Sequence, residues 1–102
     1  MKIEFYSEKK LKKEVSEIMG KYLDLKKFKI FFFGSRVSGK SNKRSDIDIG
    51  IKGHREVPFG VMSKIKEDIF NIPTLYHIDV VDFCSADKDF QKIAEKNIEI
   101  IK

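Results

Sequence analysis

Asp46, Asp48 and Gly50 alternate with Ile47, Ile49 and Ile51 in the stretch SDIDIGI, and this period of two constrains the chain more than any other feature. Successive side chains of a strand point to opposite faces, so one face here is apolar and the other carries two carboxylates. Carboxylates two residues apart repel each other. A rigid face that holds both is explained by a hard divalent cation such as Mg²⁺ between them.

Upstream, the apolar run at residues 30–33 stops at Gly34-Ser35. Residues 35–45, rich in Ser, Gly, Lys and Asn, read as a short helical turn plus loop. Gly34 allows a ligand close to the backbone, and a turn starting at Ser35 aims N–H groups and a hydroxyl at a phosphate. Lys40, Lys43 and Arg44 supply counter-charge. Metal-binding acids beside a phosphate-cradling turn are the components of phosphoryl or nucleotidyl transfer.

The rest of the chain frames this segment. Leu11, Val15, Ile18, Tyr22 and Leu25 form one stripe of an amphipathic helix over residues 7–25, with Ser7 as N-cap and Gly20 marking a bend or end. Residues 28–33 read as a strand covered on both faces. Pro58 opens a helix carrying Met62, Ile65 and Ile69, which ends at Asn71-Ile72-Pro73. Residues 75–83 read as a third strand with Asp79 in its middle, and Phe90, Ile93, Ala94, Ile98 and Ile101 give a helix over 87–101. This order predicts a single domain over residues 1–102: a small α/β sandwich with a mixed three-stranded sheet flanked by helices. If the third strand lies beside the second, Asp79 completes a three-carboxylate cluster with Asp46 and Asp48. His77 shares the face of Asp79, as a strand-end hydrogen-bonding residue or as a holder of Asp79 or a phosphate. Asp82 points the other way and reads as an ordinary strand-end acid.

These residues resemble the DNA polymerase beta-type nucleotidyltransferase superfamily, and within it the minimal nucleotidyltransferases that act as antitoxins beside HEPN-domain toxins. The pattern is a Gly-Ser turn, a basic loop with a second glycine, Ser-Asp-x-Asp on the next strand and a third Asp on a later strand. Here these are Gly34-Ser35, Gly39, Ser45-Asp46-Ile47-Asp48 and Asp79. Ser38 stands where many minimal members carry an arginine. The resemblance implies two Mg²⁺ ions held by Asp46, Asp48 and Asp79, and ATP bound through Gly34, Ser35, Arg36, Gly39, Lys40, Lys43, Arg44 and Ser45. AMP would pass to a hydroxyl, a tyrosine in the toxin-antitoxin members, on a partner HEPN toxin.

Composition fits that reading. With 102 residues, 41% hydrophobic and 36% charged, the chain has room for one modest core and none for a separate substrate domain, so a large substrate is expected on a partner. No apolar run approaches the ~20 residues of a membrane helix. The first residues lack a signal peptide's apolar core, and a cytoplasmic location is expected. A single cysteine, Cys84, excludes an internal disulfide and reads as a buried or half-buried thiol. The net charge of +5 favours anionic partners, although Lys9, Lys10, Lys12, Lys13 and Lys21 fit a solvated helix face. Two other function classes remain: an antitoxin that inhibits by contact alone, and a basic nucleic-acid-binding domain. The latter lacks interleaved exposed aromatic and basic residues, since Phe31 to Phe33 read as core.

Overall fold

The computed structural model describes residues 3, 6–39 and 46–102. Lys40, Lys43, Arg44 and Ser45 lie outside the described residues. The order of elements is α1 (Glu8–Tyr22), β1 (Lys29–Phe33), α2 (Ser35–Ser38), β2 (Ile47–Lys52), α3 (Phe59–Phe70), β3 (Ile78–Asp82), α4 (Lys88–Ala94) and β4 (Glu99–Ile100). They form one mixed sheet in the order β3-β2-β1-β4. β1 runs antiparallel to β2 and β4, and β2 runs parallel to β3.

The sheet therefore has four strands rather than the expected three, and the expected terminal helix is shorter. Ile98 and Ile101 fit helical spacing, but α4 stops at Ala94 and Glu99–Ile100 instead pairs with Phe31 and Phe32. β1 would otherwise expose an unpaired edge, and the β-branched run at 98–101 suits a strand. Lys12 of α1 meets Glu99 at 3.0 Å, across the seam that β4 closes.

Two cores lie on opposite faces. Leu11, Val15 and Met19 of α1 pack with Ile65 and Ile69 of α3 against Ile30, Phe32, Ile47, Ile49, Ile51 and Val80. Ser7 caps α1, accepting from the Lys10 N–H. α1 runs through Gly20 to Tyr22 without ending there. On the second face Phe31, Phe33 and Phe83 pack with Val81, Ala94 and Ile98. Their rings meet edge to face: Phe31 with Phe83 at 4.9 Å between centroids and Phe33 with Phe83 at 5.0 Å, a geometry worth about 0.5–1.5 kcal/mol per pair beyond buried area. Gly50 lies under this cluster, and a Cβ there would come within 2.4 Å of the Phe31 ring. Cys84 is exposed, a correction to the buried or half-buried thiol expected from its place after an apolar strand. The strand ends at Asp82, and the turn that follows buries Phe83 but leaves Cys84 exposed.

Candidate active site

The second sheet face carries the acids as well as the aromatic cluster. Side-chain parity puts Asp48 on the same face as Phe31 and Phe33, and Asp79 on that of Val81 and Phe83. Register does the rest, because Asp48 stands opposite Asp79 across the parallel β2–β3 pair. The Ile47 N–H donates to the His77 carbonyl at 2.9 Å, which fixes the residues just before both strands beside each other. Asp46 and His77 consequently converge, with His77 Nδ1 3.3 Å from Asp46 Oδ2 and Nε2 4.0 Å from Asp79 Oδ1.

One side-chain donor atom from each of Asp46, His77 and Asp79 lies within 4.8 Å of the other two. All three residues are exposed, whereas Asp48 is half-buried. Burial first, and then the carboxylates of Asp79 and Asp46, push the Asp48 carboxyl up to about 6, with His77 acting in the opposite direction. Among the described residues the site thus gathers three carboxylates and one imidazole. A divalent cation fits such a donor set: carboxylate oxygens, one imidazole and open positions for water or phosphate.

Gly34 closes β1 against this charge. Its φ of 84° and ψ of −162° belong to a backbone region that is essentially glycine's alone. A Cβ at this position would lie 2.2 Å from Asp48 Oδ2. The close approach expected at Gly34 is therefore first an approach of the turn to Asp48. α2 follows, with the Val37 and Ser38 N–H groups both donating to the Gly34 carbonyl at 3.1 Å, which leaves the N–H groups of its first residues for other acceptors. Gly39 ends α2 in the left-handed region. Arg36 is buried, at 6% exposed, and its guanidinium lies 4.5 Å from the Tyr76 ring centre. The structure thereby ties the turn to the segment leading into β3.

A groove of about 710 Å³ opens beside the acids. Gly34, Ser38, Asp48 and Asp79 form its polar end, while Phe33, Val81, Phe90, Ile93 and Ala94 form an apolar wall. Sequence reasoning missed that wall, because the α4 stripe reads as core although Phe90 and Ile93 remain exposed. Asp82 points away, as expected, and binds the Val57 N–H at 2.8 Å and the Cys84 N–H at 3.0 Å. It anchors the approach to α3 and has no part in the site.

Strands that level their acids against a glycine turn, in a mixed sheet with helices on both faces, define a nucleotidyltransferase-type α/β domain. Residues 13–102 match the polymerase beta nucleotidyltransferase family, and the chain belongs to it. Over 75 residues it is 29% identical to the probable protein adenylyltransferase MntA of Haemophilus influenzae, a match that takes in 74% of this chain. The chain spans 66% of the length of that relative. The fold also matches a solved Shewanella oneidensis complex of a tri-AMPylated HEPN toxin with its MNT antitoxin, at a TM-score of 0.71 and 14% identity over 94% of this chain and 72% of that one. A toxin-antitoxin structure with AMP-PNP gives the same TM-score at 17% identity, over 89% of this chain and 72% of that one.

Proposed function

We propose that this chain is a Mg²⁺-dependent protein adenylyltransferase that acts as an antitoxin, transferring AMP from ATP to a tyrosine hydroxyl of a partner HEPN toxin in the cytoplasm. The observation that carries this reading is the alignment of Asp48 with Asp79 across β2–β3, with Asp46 alongside and the Gly34 turn against Asp48. The similarity to a probable protein adenylyltransferase and the shared fold of MNT antitoxins support the substrate class. Among the described residues no helix is long and apolar enough to cross a membrane.

In this reading Asp46, Asp48 and Asp79 hold two Mg²⁺ ions, which polarise the phosphates and lower the pKa of the acceptor hydroxyl when bound. Ser35 and the backbone N–H groups opening α2 receive the outer phosphates, together with Gly39, Lys40, Lys43, Arg44 and Ser45. Arg36 serves as a positioning residue, since its stack on Tyr76 braces the turn. The acceptor oxygen attacks the α-phosphorus, its bond to the β-phosphate bridging oxygen breaks, and pyrophosphate leaves. Asp79, more exposed than Asp48, takes the hydroxyl proton or passes it to water. The whole of residues 1–102 acts as one domain, and the acceptor comes on the partner.

Two labels on ATP test the reaction type. With a HEPN-domain partner and Mg²⁺, label at the α-phosphate is expected on the partner and label at the γ-phosphate in released pyrophosphate. Transfer of the γ-label to protein would replace the reading with a kinase.

A further inference from the structure

His77 is placed for more than support of a neighbouring acid. Its backbone is pinned by the Ile47 N–H, and its two ring nitrogens face the carboxylates of Asp46 and Asp79 at 3.3 and 4.0 Å. Ligands held at about 2.1 Å from one ion lie no more than about 4.2 Å apart. The three donor atoms, within 4.8 Å of one another on exposed side chains, need close by only about half an ångström to meet that limit.

We propose that His77 gives a nitrogen ligand to the cation position between Asp46 and Asp79, and that this position consequently prefers Mn²⁺ to Mg²⁺. The proposal rests on the metal-dependent reading above and adds to it the identity of one ligand and one ion. Mg²⁺ dehydrates reluctantly and favours all-oxygen octahedra. Imidazole suits transition ions, whereas carboxylate and water suit Mg²⁺, Ca²⁺ and Mn²⁺. Two carboxylates with one imidazole fall between these sets, and Mn²⁺ is the ion of the carboxylate group that also accepts nitrogen. The parallel β2–β3 register brings the nitrogen there by setting residue 77 beside residue 46.

The test uses the full chain with metal alone, so that no nucleotide nitrogen contributes. Pulsed electron paramagnetic resonance of bound Mn²⁺ is expected to show ¹⁴N modulation in the wild type and none in His77→Ala. Titration is expected to show about a tenfold or greater loss of Mn²⁺ affinity in the variant and a much smaller change for Mg²⁺. Mn²⁺ bound by the wild type without ¹⁴N modulation, or equal losses for both ions, would overturn the His77 assignment and leave the carboxylate site standing. If the wild type binds neither ion, the metal-dependent reading falls with it.

Discussion

Asp48→Asn is expected to reduce AMP transfer on the order of 10³-fold while making the metal-free protein more stable. The first effect follows because Asp48 faces Asp79 in register and a lost cation ligand removes several kcal/mol of transition-state stabilisation. The second follows from the half-buried carboxylate itself, which burial and two neighbouring acids disfavour. Its folded value of about 6 lies above the ordinary carboxyl value, so between about pH 4 and 6 the folded state binds more protons than the unfolded state. Stability from this group is complete below that window and is lost as pH rises through it. Asn has no such titration. Melting temperatures of the two metal-free proteins should therefore diverge from pH 4 to 7, with the variant higher by several degrees at neutral pH. A wild type that matches the variant at every pH would show that Asp48 carries no such burden.

Gly34→Val is the second large effect. It forces a side chain into a backbone conformation that costs a non-glycine residue about 1–3 kcal/mol, and its Cβ enters the space of the Asp48 carboxylate. Stability should fall by at least that amount, and nucleotide affinity should fall further because both the turn and Asp48 must move. Urea unfolding measures the first and calorimetric titration with ATP, at a temperature where the variant is folded, measures the second. Retained ATP affinity in folded variant protein would remove Gly34 from the site.

Much of this architecture was legible because it depends on parity and punctuation. The alternation at 46–51 predicted which face holds the acids, and Gly34 predicted the break after β1. Phe31 to Phe33 are buried on both faces, as their run implied. That β3 lies beside β2 is only a condition at the level of sequence, and the parallel register supplies it. β4 was illegible because Ile98 and Ile101 fit a helix stripe as well as a strand edge, and only the unpaired side of β1 decides between them. Asp82 shows the same limit. Its side was predictable from parity, but its bond to the Val57 N–H joins residues 25 apart in sequence. The stacking of Arg36 on Tyr76 likewise joins residues forty apart in sequence, which no local pattern connects.

The most direct test of the account pairs two readings on one partner. Wild type and Asp79→Asn are each incubated with a HEPN-domain toxin, ATP and Mg²⁺, and both binding and the intact mass of the toxin are measured. Asp79 is an exposed acid at the mouth of the groove, so its amide is expected to preserve docking and lose chemistry. The account predicts an AMP-sized mass addition with wild type and none with Asp79→Asn, at similar partner affinity. Tight binding of an unmodified toxin by the wild type would contradict it and leave an antitoxin that works by contact alone.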